Sequence, residues 1–258
     1  GALDAPDARK VHAHPIPRIG GVGIYAAFMA SILIQLTFID LPPEFMTSLI
    51  GLIAGSTIIV FIGLVDDYCD LPARLKLLGQ IIAAAVLVIG FDVRIDVITD
   101  PLGDYIYLEY LAIPATIFWI VGLTNTVNLI DGLDGLAAGV SSIAAFTILL
   151  VALEEGIPFV AMVTAALAGA AVGFLYYNFN PARIFMGDTG SMFLGFMLAG
   201  ISVVGAVKSA ATIALIVPIL ALGLPILDTA FAIVRRARNH RPIFKPDKGH
   251  LHHRLLAH

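Results

Sequence analysis

Eight runs without a charged side chain divide this sequence: Ile19–Ile39, Phe45–Val65, Leu77–Phe91, Tyr110–Ile130, Gly135–Leu153, Gly156–Ala182, Thr189–Val207 and Ser209–Leu227. An α-helix needs about 17–25 residues to cross roughly 30 Å of hydrocarbon, and seven of the runs are that long. The short one, Leu77–Phe91, gains length from Leu75 and from the aliphatic stem of a snorkelling Lys76. Composition agrees, since charged residues are only 13% of the chain, about half the usual share of a soluble domain. A soluble chain of this size cannot hide so much apolar surface, because most of its side chains still border water. The runs therefore predict an all-α polytopic membrane protein with about eight transmembrane helices.

Lysine and arginine set its orientation. With eight crossings both ends share a side, and that side collects all the basic residues except Arg94 and Lys208. The expected protein is a multi-pass protein of the cell's inner (plasma) membrane with both ends of this chain cytoplasmic. Its net charge of −4 conceals a basic inner face and gives no support to a nucleic-acid partner. The single Cys69 excludes an intramolecular disulfide and reads as a packing residue. Gly1–Arg18 is polar and lacks the apolar centre of a signal peptide. Around Asp104–Glu109 the alternation suggests a short strand or hairpin on the outer side. Pro218 and Pro225 predict a bent or broken last helix.

Four polar clusters fall at the inner ends of these helices, where charge is costly and signals function. Asp66, Asp67 and Asp70 gather oxygens suited to a hard cation such as Mg²⁺, or else form a solvated helix end. Asn125, Asn128, Asp131 and Asp134 recur every third residue, so neighbours stand on adjacent turns. A continuous helix would turn the first and last to opposite sides, and Gly132 and Gly135 predict a break there. In the third, Asn178-Phe-Asn180-Pro-Ala-Arg183-Ile-Phe-Met-Gly187-Asp188-Thr-Gly190-Ser191, Asp188 stands where either a helix cap or a phosphate-site residue would stand. The fourth runs from Pro246 to Arg254, where His250, His252 and His253 beside Lys248 and Arg254 could grip a diphosphate. A solvated histidine-rich loop is its plainer reading, and a zinc site lacks the ligand spacing. Excess carboxylates and excess cations on one membrane face make the composition of a magnesium–diphosphate site.

These motifs, in their order, resemble the polyprenyl-phosphate N-acetylhexosamine-1-phosphate transferases, the superfamily of the WecA, TagO and MraY enzymes. The likeness runs from Pro17-Arg-Ile-Gly20-Gly21 through Asp66-Asp67, the Asn-x-x-Asn-x-x-Asp-Gly-x-Asp-Gly stretch and Gly-Asp188-Thr-Gly-Ser to the histidine loop. It implies transfer of N-acetylglucosamine 1-phosphate from UDP-N-acetylglucosamine to undecaprenyl (polyprenyl) phosphate, releasing UMP and initiating cell-envelope polysaccharide synthesis. His250-Leu-His252-His253 resembles the WecA and TagO pattern more than the three consecutive histidines of MraY. The resemblance implies Asp188 as principal Mg²⁺ ligand (Mn²⁺ being the alternative), with Asp66 and Asp67 beside the metal and the lipid phosphate. Asp131, Asp134, His252 and His253 join Asp66 and Asp67 as catalytic candidates. Lys76, Asn125, Asn128, Arg183, His250, Arg254, Lys10 and Arg18 are the implied substrate-binding set. Residues 1–258 would be one integral-membrane core without the family's first helix and its last helices, and a homodimer is among the expected assemblies. Phospho-N-acetylmuramoyl-pentapeptide transfer and a non-enzymatic polytopic transporter are the competing readings.

Overall fold

The computed structural model describes residues 3–4, 16–99 and 104–209. Lys10, the eighth run beyond Ser209, the Pro218 and Pro225 interruption, and the histidine loop with His250, His252, His253 and Arg254 lie outside the described residues. A short strand pair, β1 (Leu3–Asp4) with β2 (Ile16–Pro17), precedes helix α1 (Gly20–Leu36). Then come α2 (Pro43–Cys69) and α3 (Ala73–Ala85), which runs on into a π-helical turn at Val86–Gly90. The hairpin expected near residue 104 exists, with β3 (Val97–Thr99) antiparallel to β4 (Tyr105–Tyr107). Helices α4 (Ala112–Ile130), α5 (Leu136–Glu154), α6 (Pro158–Asn178) and α7 (Gly187–Ser209) complete the described chain.

Seven of the eight runs are thus helices, and six of the helices are long and apolar enough to cross a membrane. The short run does gain from its flank, because α3 and its π turn together form an 18-residue apolar segment from Ala73 to Gly90. Helix α1 has 17 residues, about 26 Å at the helical rise, the shortest span of the set. Prolines open α2 and α6 at Pro43 and Pro158, where a fixed φ and a missing N–H cost nothing.

Helix α7 is the hub. Its apolar window is 94% buried inside the protein, against 67% for α6 and less than half for the other spans. A helix so enclosed is shielded from lipid and can carry polar groups at its end. Phe193 of α7 meets Tyr25 and Phe28 of α1 edge-on, with ring centroids 5.5 and 5.6 Å apart. At one end Gly20 and Gly21 donate backbone hydrogen bonds to the carbonyls of Phe185 and Met186, and Phe185 donates to that of Pro17. The beginnings of α1 and α7 are thereby tied, at the end where α2, α4 and α6 finish and α3 and α5 start.

Candidate active site

Asp66 closes the end of α2 in two ways. Its Oδ1 accepts a hydrogen bond from the Leu71 amide at 2.7 Å, while Asp70 takes the left-handed cap position with φ of 49°. Asp70 is exposed, and its amide donates to the Asp66 carbonyl at 2.8 Å. The second oxygen of Asp66 faces Lys76 Nζ at 2.6 Å, and the same ammonium reaches Asp188 Oδ2 at 2.8 Å. Three helices, α2, α3 and α7, converge on one cation. Asp66 is only 4% exposed, so its charge depends on that pairing.

Asp67 does something the sequence did not suggest. Its Oδ1 accepts from the Asp188 amide at 2.8 Å, and its Oδ2 accepts from the Thr189 amide at 3.1 Å and from the Thr189 hydroxyl at 2.6 Å. Helix α7 is therefore capped by a carboxylate of α2, and Asp188 keeps its own side chain for Lys76. The fit requires glycine at 187, where φ is +67° and a Cβ would lie 2.5 Å from Asp67 Oδ2.

The polar residues of α4 face the same end. Asn125 exchanges hydrogen bonds with Gln80 of α3, at 2.5 Å from its Nδ2 and 3.4 Å to its Oδ1. Asn128 donates to the Ser191 hydroxyl of α7 at 2.9 Å. Their direct partners here are thus helices α3 and α7. The helix stops at Ile130 as Gly132 implied, and Gly135 starts α5 with φ of +73°. Between them Asp131 is half-buried, and its carboxyl is pushed up to about 7, first by burial and then by the charges of Asp188 and Asp67, with Arg18 acting the other way. Asp134 turns to the α6–α7 loop, where its Oδ2 accepts from the Ala182 amide at 2.9 Å and from Asn180 at 3.3 Å. Arg183 is exposed on that loop.

Four acids, Asp66, Asp67, Asp131 and Asp188, thus meet two described cations, Lys76 and Arg18. Among the described residues no three His, Cys, Asp or Glu side chains are grouped as a ready metal cage. The donor chemistry nevertheless fits Mg²⁺: all-oxygen ligands, more negative than the cations beside them, with an ammonium already drawn between two of them. Gln80, Thr189 and Ser191 pair in turn with Asn125, Asp67 and Asn128; the last two stand in the Gly187–Ser191 motif without a role expected of them, and Gln80 was not singled out above. Gln80 had a signal, being the one polar side chain in the run Leu77–Phe91.

Between α3 and α4 lies an apolar groove of about 440 Å³ that none of these polar residues lines. It begins at Leu77, the neighbour of Lys76, and continues past Ile81, Val121, Ile117 and Phe118.

Fold and site define a multi-pass membrane protein whose helix ends gather acids around a cation at one boundary. The chain belongs to the family described as glycosyl transferase family 4, whose profile matches residues 49–206. It is 42% identical over its whole length to a probable undecaprenyl-phosphate N-acetylglucosaminyl 1-phosphate transferase of Bacillus subtilis, covering 70% of that protein. It is 39% identical to a decaprenyl-phosphate N-acetylglucosaminephosphotransferase of Mycobacterium tuberculosis, with 99% of this chain and 69% of the relative covered. A phospho-N-acetylmuramoyl-pentapeptide-transferase of Shouchella clausii matches at 30% identity, over 93% of this chain and 75% of the relative.

Proposed function

We propose that the chain transfers N-acetylglucosamine 1-phosphate from UDP-N-acetylglucosamine to a polyprenyl phosphate at the cytoplasmic face of the plasma membrane, leaving UMP and a lipid-linked diphosphate sugar. The observation that carries this reading is Lys76 held within 2.8 Å of both Asp66 and Asp188; the apolar groove between α3 and α4 suits an isoprenoid chain. The relatives named for N-acetylglucosamine, at 42% and 39% identity, favour that sugar over the muramoyl pentapeptide of the relative at 30%.

In this reaction an oxygen of the lipid phosphate forms a bond to the sugar-bearing phosphorus, and the bond from that phosphorus to UMP breaks, its electron pair leaving with UMP. The attacking monoester has a second pKa near 6, so at neutral pH it is already mostly ionised and needs no strong base. The obstacle is repulsion between two anions. Lys76 counters it by transferring its hydrogen bonds from the carboxylates to phosphate oxygens, and the freed Asp188 and Asp66, with Asp67, are the residues that would hold a divalent cation. Mg²⁺, or Mn²⁺ in its place, would supply charge that screens both phosphates. Arg18 and Arg183, with Lys10, His250, His252, His253 and Arg254 from outside the described residues, are assigned to the diphosphate. Asp131 and Asp134 border the nucleotide side of the site.

Purified protein supplied with radiolabelled UMP, polyprenyl phosphate, Mg²⁺ and, in separate reactions, unlabelled UDP-N-acetylglucosamine or the UDP-muramoyl pentapeptide should exchange label into UDP-N-acetylglucosamine. Exchange only into the UDP-muramoyl pentapeptide would move the chain to the other branch, and none with either would leave the transporter reading.

A further inference from the structure

We infer that Thr189 is a positioning residue for Asp188, acting through Asp67. The inference rests on the proposal that Asp188 works at the reacting phosphates, and it explains how α7 presents that side chain. A helix start leaves its first amides without partners, and the usual remedy is a side chain directly before the helix. Here the cap comes from 121 residues earlier in the chain. Its two oxygens are used unequally, because Oδ1 takes one amide while Oδ2 takes both the amide and the hydroxyl of Thr189.

That asymmetry gives the hydroxyl its role. Two amides alone would hold the carboxylate across the start of α7, but the third donor fixes the plane of the group. With that plane fixed, the first turn of α7 cannot rotate without losing three hydrogen bonds at once. Asp188 is on that turn, one residue from Thr189, so its direction toward Lys76 is set by the same contact. The two backbones are shaped for it. A Cβ on Gly63, one turn before Asp67, would lie 2.5 Å from Thr189 Cα, and the Gly187 position is equally closed by Asp67. Thr189 itself is 1% exposed, so its hydroxyl has no water to turn to if Asp67 moves.

The test compares Thr189→Val, which keeps the shape and removes the hydroxyl, with Thr189→Ser, which keeps the hydroxyl. In the full chain, well below the melting temperature, Thr189→Val should lower kcat about tenfold while KM for UDP-N-acetylglucosamine stays within about twofold, and Thr189→Ser should restore most of the rate. Equal kcat for the two variants would overturn the inference, since a packing role is indifferent to the hydroxyl. A double-mutant cycle in detergent melting gives a reading independent of activity. Thr189→Val should lower the melting temperature on its own and by less on an Asp67→Asn background, whose amide oxygen is a weaker acceptor than the carboxylate, whereas additive losses would overturn the contact. If the parent transfers no sugar phosphate, the proposed function fails and the cycle still decides the contact. If Asp67→Asn does not fold, the difference in melting between Val and Ser decides it, and equal melting counts against the hydroxyl.

Discussion

Lys76 and Asp188 are 112 residues apart in the chain, and Lys76 Nζ lies 2.8 Å from Asp188 Oδ2. The same nitrogen is 2.6 Å from Asp66 Oδ2. Desolvating such a set costs free energy, and the pairing offsets that cost while the ammonium stands between the two carboxylates. One ammonium therefore links the ends of α2, α3 and α7, and in the proposed reaction it is the charge that an incoming phosphate would take up.

Replacing Lys76 by Met should show both duties. Two carboxylates would then face each other with no cation between them, so the metal-free variant should melt several degrees below the parent. Raised Mg²⁺ should recover part of that loss by filling the vacated position. Sugar-phosphate transfer should fall by at least about a hundredfold and stay low at high Mg²⁺, because the phosphate contact is gone, a loss of roughly 3 kcal/mol in the transition state. Unchanged melting without metal would show that the triad contributes little to the fold.

Asp188→Asn separates two duties that the sequence left open at one position. Asn is about as good a helix cap as Asp, but the capping group of α7 is Asp67, so neither identity at 188 should disturb the helix start. The variant should keep a melting temperature near that of the parent. It should lose most transfer activity and metal-dependent UDP-sugar binding, since an amide oxygen lacks the charge that offsets the dehydration of a hard cation. Near-parental turnover at ordinary Mg²⁺ would transfer the metal role to Asp66, Asp67 and Asp131.

The spans were legible because hydrocarbon tolerates so few charges that counting them locates the helices. The break after Ile130 was legible too, since Gly132 and Gly135 sit where the polar period of three would otherwise carry Asp134 away from Asn125. Partners were not. Nothing local to Asp67 indicates that it caps α7, and nothing local to Asp188 indicates that its expected cap duty is filled from another helix. Gln80 escaped for a different reason: a search for charge passes over an amide, although an amide in a membrane must also find a partner.

Gln80 is 2% exposed, and its hydrogen bonds go to Asn125 and to Met192 Sδ, the latter at 3.2 Å. Gln80→Leu should therefore leave Asn125 with its donation to the Val121 carbonyl and an unpaired Oδ1, and destabilise the protein by about 1–3 kcal/mol. The double variant Gln80→Leu with Asn125→Leu should lose less than the sum of the single losses, because removing both partners leaves nothing unsatisfied. Lys76 lies one turn before Gln80, so the single variant should also reduce transfer. Strictly additive melting losses would contradict a direct amide pair.

Asp131 supplies the pH dependence. Its carboxyl is pushed from an ordinary 3.8 up to about 7 by burial and by Asp188 and Asp67, against the pull of Arg18. Folding therefore takes up a proton at this group wherever the pH lies between those two values. Its contribution to stability is complete below the lower value and is lost as pH rises through the upper one. Asn at 131 stays neutral throughout and escapes that loss. In metal-free detergent with a chelator present, the melting temperature of Asp131→Asn relative to the parent should rise steadily from pH 5 to about pH 7 and then level off. A slope confined to below about pH 4, with the variant losing ground as pH rises, would mean that Asp131 is ionised in the folded protein and stabilised by Arg18. Parallel curves would mean that its environment does not distinguish the charged from the neutral form, and the crowding of negative charge that argues for a divalent cation would lose its main support.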